Sequence, residues 1–148
     1  KSVDRMLSRL GYPGMKILQF AFDPKGDSEH APHNLTYDTV VYTGTHDNPT
    51  ARGWYETLKD EEKEYFHEYL HFTSPYEVVN ELVRCALSST CYLAIIPFQD
   101  YLQKGKEARI NTPSVLGGNW TFRIENGDMN KDLCKYIGNL TKVYRRSK

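Results

Sequence analysis

The sequence predicts an α/β fold in which parallel strands alternate with helices. Residues 15–22, 40–43 and 91–98 are rich in apolar, β-branched and aromatic side chains and end at Gly, Pro or Asp, which is typical of buried strands. Stretches with apolar residues at helical spacing lie before, between and after them. An acidic residue follows each strand within a few positions, and in parallel α/β folds the loops at that end of the sheet surround a common crevice.

The first 38 residues predict a helix, a strand and a long loop. Apolar residues recur at helical spacing from Val3 to Leu10, and Gly11 ends that helix. The strand at 15–22 is almost continuously apolar, as a strand covered on both faces would be. Residues 23–38 are rich in Pro, His, Asn and Asp without helical periodicity, so we expect a loop over the C-terminal rim of the sheet. Its length favours a functional loop.

Three helices are predicted between the second and third strands. The first starts near Pro49, and the second covers residues 60–69, with acidic side chains in its first turn. In the third, Ser74, Pro75 and Glu77 are typical of an N-cap, a first-turn proline and a capping-box acid. Its predicted buried stripe consists of Val78, Val79, Leu82, Val83, Ala86 and Leu87.

Two further segments follow the third strand. Residues 103–119 are polar and Gly-rich, and we expect them to cross near the strand ends before Trp120 and Phe122 anchor them. Residues 130–146 have apolar side chains near helical spacing, with Lys and Arg gathered at the end. This pattern predicts a closing outer helix.

Length and charge limit the possible functions. The chain of 148 residues has room for one domain, residues 1–148, but is short for a complete (β/α)8 barrel, which typically needs about 250 residues. Its 19 basic and 19 acidic residues give no electrostatic reason to expect nucleic acid or an anionic membrane as partner. No apolar run is long enough to cross a bilayer.

The cysteines indicate the compartment. Cys85, Cys91 and Cys134 form an odd set without CxxC spacing, which fits neither a disulfide framework nor a structural zinc site. We therefore expect buried free thiols, no bound metal and a reducing, cytoplasmic location.

A polar group follows the second strand. Gly44 ends the β-branched run at 40–43, and His46, Asp47 and Asn48 then stand side by side. In a parallel sheet this is where chemistry is placed. Asp or Asn after a strand is, however, more often a turn former or a helix N-cap, so local chemistry suggests a site without naming a reaction.

The same stretch resembles the signature of an enzyme family. Residues 42–48, followed by Gly53 and Trp54, are similar to the histidine-aspartate motif of the 4-alpha-glucanotransferases, the amylomaltase or disproportionating-enzyme family. Residues 10–22 resemble that family's segment upstream of the motif. Three blocks resemble its downstream segment: residues 99–102, 107–111 and 118–120. Because these matches are collinear and span almost the whole chain, the resemblance is specific.

The resemblance implies the C-terminal part of a (β/α)8 barrel, with the predicted strands as its sixth to eighth. The complete enzyme would transfer maltooligosaccharide units between α-1,4-glucans by a retaining mechanism without a cofactor, in the cytoplasm or, for a plant parent, in the plastid. A retaining mechanism uses a nucleophile and a general acid/base, two carboxyl groups roughly 5 Å apart. In the family these lie on the fourth and fifth strands, upstream of Lys1, so the isolated chain is predicted to be inactive.

The resemblance assigns roles to three residues. Asp47 matches the family carboxylate that holds hydroxyls of the donor sugar and stabilises the oxocarbenium-like transition state. His46 matches the neighbouring histidine, which contacts the same sugar. Phe20 matches a phenylalanine that could line the pocket near the reacting sugars, although core packing explains Phe20 equally well.

Other residues near the motif have structural explanations. Asp100 and Glu107 are better explained by pairing with Arg109 or with backbone donors than by chemistry. Asn119 and Trp120 are expected to shape the wall of the site.

The sequence departs from the family pattern at Pro49, at Gln103 with Lys104, and at Ser114 with Val115, so the neighbouring loop conformations do not follow from the family. The alternative function is a catalytically inactive half-barrel that binds carbohydrate or serves assembly. Three parallel strands leave exposed edges, and we expect the isolated chain to self-associate or to need the rest of the barrel.

Overall fold

A computed structural model describes residues 2–147, so the predicted domain extends one residue beyond this range at each end. Three strands form one parallel sheet in the order of the chain: β1 (Gly14–Ile17), β2 (Thr39–Tyr42) and β3 (Leu93–Ile95). The prediction of three parallel strands with flanking helices is confirmed.

Six α-helices accompany the sheet in the described range. They are α1 (Ser2–Leu10), α2 (Ala51–Thr57), α3 (Asp60–Leu70), α4 (Val78–Ser88), α5 (Phe98–Tyr101) and α6 (Lys131–Val143). Short 3-10 turns occupy Leu18–Phe20, Pro32–Asn34 and Lys106–Ala108. The segment from residue 23 to 38 is a loop apart from one of these turns, as predicted.

The helices cover one face of the sheet. Val41 of β2 is fully buried in the same apolar cluster as Leu82 and Val83 of α4. Phe22 and Phe66 pack edge to face in this cluster, with ring centroids 4.5 Å apart. Since each buried side chain of this size contributes roughly 1.5–3 kcal/mol, the cluster fixes β2, the strand that leads to the polar group.

The other face of the sheet is open. Met15 lies opposite Val40, and Val40 lies opposite Leu93, so these side chains share a face. Met15, Leu93 and Ile95 are exposed there. Ile17 shares this face with Met15 but is only 6% exposed. Within residues 2–147, the expectation that the first strand is covered on both faces therefore holds at Ile17 and fails at Met15.

Element boundaries differ from the predictions where tertiary contacts decide. The first strand ends at Ile17, because Leu18 and Gln19 are buried side by side in a 3-10 turn rather than alternating between faces. The third strand stops at Ile95, and α5 begins at Phe98. Ser74 forms a separate turn, in which its carbonyl accepts from the Glu77 N–H (2.9 Å), so the predicted capping box is wrong.

The C-terminal helix closes the outer side of the structure, as predicted. Leu140 of α6 joins the buried cluster. Arg146 donates to the carbonyls of Leu87 (2.9 Å), Ser89 (2.7 Å) and Cys91 (2.7 Å). This guanidinium satisfies carbonyls at the end of α4, where a helix leaves acceptors unpaired.

The cysteine prediction is correct in part. Cys85 and Cys91 are buried free thiols, and burial raises the pKa of Cys85 to about 12. Cys134 is exposed, because it lies on the side of α6 that does not reach the core. Within residues 2–147, no helix is both long enough and apolar enough to cross a bilayer.

Candidate active-site cleft

The C-terminal ends of the three strands open onto a cleft of about 750 Å³. Ile17, Tyr42 and Ile95, which end the strands, line it. Phe20, His46 and Asp47 line it as well, so the fold brings all three predicted site residues together. The remaining lining residues are Met15, Gly44, Thr45, Asn48, Pro97, Phe98, Gln99 and Ile110.

The neighbours of Asp47 form the turn and cap the next helix, the two structural roles that were the alternative explanation for Asp47. Asn48 Oδ1 accepts from the backbone N–H (2.9 Å) and the hydroxyl (2.7 Å) of Thr45, which closes the turn. Thr50 Oγ1 accepts from the Gly53 N–H (3.1 Å) and so caps α2. The carboxylate of Asp47 is therefore left to the cleft.

Asp47 is fixed in place and accessible. Its side chain is 50% exposed, and its Oδ1 accepts from the Asn111 side-chain amide at 2.6 Å. His46 Nε2 lies 3.4 Å from the same oxygen. This hydrogen bond favours one orientation of a carboxylate that stays open to a ligand.

Residues 109–111 form a bracing segment against the turn that carries Asp47. Arg109 donates from Nη2 to the Asp47 carbonyl (2.6 Å) and from Nε to the Asn111 carbonyl (2.8 Å). The Asn111 N–H donates to the His46 carbonyl (3.1 Å). Sequence analysis predicted that this stretch crosses near the strand ends but missed the two residues as supports of Asp47. The signal that could have found them is that residues 107–111 resemble a block of the family's downstream segment.

His46 lies between the turn and an aromatic side chain. Its ring centroid is 5.2 Å from that of Trp120, at an interplanar angle of 35°. Trp120 is exposed, and it anchors its segment through this ring contact and through its N–H, which donates to the Ile110 carbonyl (2.7 Å). Asn119 Oδ1 accepts from the Thr112 N–H (2.9 Å), and this side chain organises its own loop without lining the cleft.

Phe20 lies at the rim of the cleft. It is 53% exposed, so core packing, the competing explanation, does not describe it. His30 contacts it edge to face, with ring centroids 5.6 Å apart, and His30 Nδ1 accepts from the Ile17 N–H at 3.0 Å. Partial burial lowers the pKa of His30 below its usual value, which favours the neutral ring that this acceptor role needs.

Asp100 and Glu107 have the structural roles expected of them. Asp100 is 2% exposed and accepts from the Thr43 hydroxyl (2.6 Å) and the Ala51 N–H (2.8 Å). Burial raises its pKa, while these two hydrogen bonds oppose the rise. Glu107 accepts from the Gly105 N–H (2.9 Å) and does not pair with Arg109.

Metal chemistry has no obvious ligand set in the described part of the chain. No group of three or more His, Cys, Asp or Glu side chains there is placed to hold a metal ion. Asp47 is the one carboxylate among the residues that line the cleft.

Comparison with known proteins decides the family. A family model described as 4-alpha-glucanotransferase matches residues 1–130. The chain belongs to the 4-alpha-glucanotransferase family. The matched range includes the whole cleft and ends before α6.

Curated relatives of the 4-alpha-glucanotransferase family agree. The 4-alpha-glucanotransferase of Streptococcus pneumoniae serotype 4 is 41% identical over 145 residues, which cover 97% of this chain and 29% of that protein. The chloroplastic/amyloplastic 4-alpha-glucanotransferase of Arabidopsis thaliana is 46% identical over 124 residues, 84% of this chain and 22% of that protein. The chain thus spans less than a third of the length of these relatives.

A solved structure shows where the sheet belongs. Amylomaltase from Streptococcus agalactiae, determined in complex with acarbose, matches with a TM-score of 0.95 and 34% sequence identity over 100% of this chain and 30% of that one. The three parallel strands and their helices are therefore part of a (β/α)8 barrel, as the resemblance implied.

Proposed function

We propose that the protein to which this segment belongs is a 4-alpha-glucanotransferase that transfers maltooligosaccharide units between α-1,4-glucans by a retaining mechanism. The observation that carries this proposal is the Asp47 carboxylate, held at 2.6 Å by Asn111 and open to the cleft at the strand ends. Family membership supports it.

In the proposed reaction Asp47 acts on the charge of the donor sugar. As the glycosidic bond breaks, the ring oxygen and anomeric carbon gain positive character. A carboxylate fixed beside them stabilises this transition state more than the neutral ground state, and only such a difference accelerates the chemical step.

His46 and Phe20 bind the sugar in this proposal. The His46 ring nitrogens can exchange hydrogen bonds with sugar hydroxyls, and its contact with Trp120 limits its rotation. Phe20 offers an exposed apolar ring at the rim, suited to the apolar face of a pyranose.

The nucleophile and the general acid/base come from the fourth and fifth strands of the family barrel, which the resemblance places outside this chain. The reaction uses carboxylates alone and needs no cofactor. The balanced charge of the chain supports neutral glucans rather than nucleic acid or membranes as partners. The compartment is the cytoplasm, or the plastid if the parent is a plant enzyme, as the names of the plant relatives suggest.

The Asp47→Asn variant of the full-length enzyme tests the proposal. It preserves side-chain volume and removes the charge, so kcat for maltotriose disproportionation, followed as glucose release, is expected to fall about 10³-fold. Asp132→Asn on the exposed surface of α6 removes the same charge outside the cleft and should keep wild-type activity. If Asp47→Asn retains more than about a tenth of the wild-type kcat, the role of Asp47 is wrong.

The isolated 148-residue chain tests the assignment of the two reactive carboxylates. It is expected to disproportionate maltotriose no faster than buffer. Glucose release that disappears in Asp47→Asn would contradict that assignment and leave the family unchanged.

A second candidate, an inactive half-barrel that binds carbohydrate or assembles, is favoured by the open face of the sheet. Met15, Leu93 and Ile95 are exposed on it, and β1 and β3 each pair on one side only. We propose that the isolated chain self-associates or needs the rest of the barrel. Size-exclusion chromatography with light scattering should show oligomers or an incompletely folded chain; a cooperatively folding monomer would contradict this.

A further inference from the structure

The turn at residues 44–49, which carries His46 and Asp47, rests on a buried amide that the proposed mechanism does not use. Gln19 lies in the 3-10 turn directly after β1 and is 6% exposed. It stands between Leu18 of the apolar cluster and Phe20 of the cleft.

Gln19 contacts both ends of this turn. Its Nε2 donates to the Pro49 carbonyl at 2.9 Å. At the other end, a Cβ atom on Gly44 would come within 2.5 Å of the same nitrogen, so the amide packs directly against the Gly44 backbone. Asp47 lies between these two contacts along the chain. Gln19 therefore links both ends of the turn to the segment that follows β1.

The fold itself gains little from an amide at this position. Gln19 Oε1 is buried and accepts no hydrogen bond from any residue that the structure describes. A methionine or leucine would fill the same space without leaving a carbonyl oxygen unpaired. The part of the amide that is used is its N–H, and that N–H is directed at the turn.

We propose that Gln19 is a positioning residue that fixes the turn at 44–49 and thereby the place of the Asp47 carboxylate. The proposal rests on the transition-state role proposed for Asp47. The bracing segment at 109–111 holds the turn through Asp47 and His46, and Gln19 holds it from the side of the sheet. Two supports on different sides are what a charge needs to meet the reacting carbon accurately, since a misplacement of about 1 Å can cost about 100-fold in rate.

The Gln19→Met variant of the full-length enzyme removes the donor and keeps the volume. We expect kcat for maltotriose to fall about 10- to 100-fold, with KM within about twofold of wild type and no loss of melting temperature. Gln103→Met, at an exposed position outside the cleft, is the matched control and should keep wild-type kcat. If Gln19→Met fails to fold, Gly44→Ala displaces the same amide and should lower kcat in the same way.

A double-mutant cycle separates positioning of Asp47 from a general structural role. The readout is acarbose affinity by calorimetry, because acarbose binds the solved amylomaltase. Gln19→Met should weaken binding about tenfold in the wild-type background and have no further effect in Asp47→Asn.

Wild-type kcat in Gln19→Met, or an equal loss of affinity in both backgrounds, would overturn the positioning role and leave the proposed function intact. Full activity of Asp47→Asn would instead overturn the transition-state role proposed for Asp47, and the positioning role with it.

Discussion

The turn after β2 and the short helix α5 after β3 each carry an aspartate at the same rim of the sheet. Asp47 is half exposed, and its carboxylate accepts from the Asn111 side chain. Asp100 is almost completely buried and accepts from the Thr43 hydroxyl and the Ala51 N–H. Both follow an apolar strand, so the sequence pattern alone does not distinguish them.

The difference lies in which donors face each carboxylate. Asp100 meets a hydroxyl from the end of β2 and a backbone N–H from the start of α2, and it ties the two together. At Asp47, the turn and capping roles have been taken by Asn48 and Thr50. A position just past a parallel strand predicts that a carboxylate lies at the rim, and the local donors decide whether it serves the fold or a ligand.

The largest expected effect on stability separates the two aspartates. Asp100→Ala leaves the Thr43 hydroxyl and the Ala51 N–H buried without an acceptor, so the free energy of unfolding should fall by about 3 kcal/mol. Asp47→Ala, at a half-exposed site, should change it by less than about 0.5 kcal/mol. Urea unfolding of the full-length enzyme measures both. Equal losses would show that the fold does not use the carboxylates differently.

A smaller effect is expected at the donor to Asp47. Asn111→Ala removes the hydrogen bond that orients the carboxylate and should lower kcat for maltotriose about tenfold, or about 1.4 kcal/mol of transition-state stabilisation. Asn139→Ala on the exposed side of α6 is the control and should leave kcat unchanged. An Asn111→Ala enzyme with wild-type kcat would show that the carboxylate keeps its place without this bond.

The sequence predicted those elements of the fold whose apolar residues follow a local periodicity. The buried stripe of α4 matches its predicted apolar pattern, from Val78 to Leu87. The predictions failed at Ile17, after which the chain enters a 3-10 turn with Gln19 buried, and at Ser74, where a local turn closed by the Glu77 N–H precedes the helix. At the first place a contact 30 positions away, from Gln19 to the Pro49 carbonyl, competes with the local preference for a strand. At the second, one local hydrogen-bonding pattern of Ser74 replaces another.

The residues of the candidate site also fall into those that the sequence could predict and those that it could not. His46 and Asp47 could be found because they lie in one contiguous motif after a strand. Asn111 and Gln19 could not be assigned as their supports, because the hydrogen bonds join residues 64 and 30 positions apart. No local pattern contains such a pairing.

The smallest expected effect extends the comparison to the turn after β1, where His30 supports Phe20. Burial lowers the pKa of His30 from its ordinary value of 6.5, so the folded protein favours the neutral ring that accepts from Ile17. Its contribution to stability is therefore present above pH 6.5 and is lost as the pH falls through the lowered pKa.

The His30→Gln variant of the full-length enzyme checks this pH dependence. Glutamine keeps an acceptor for the Ile17 N–H but does not titrate, so the free energy of unfolding should fall less between about pH 7.5 and 5.5 than in wild type. Burial also lowers the pKa of His67. Because both proteins contain His67, its contribution cancels when their pH dependences are subtracted. Identical pH dependence in the two proteins would show that folding does not favour the neutral His30 ring.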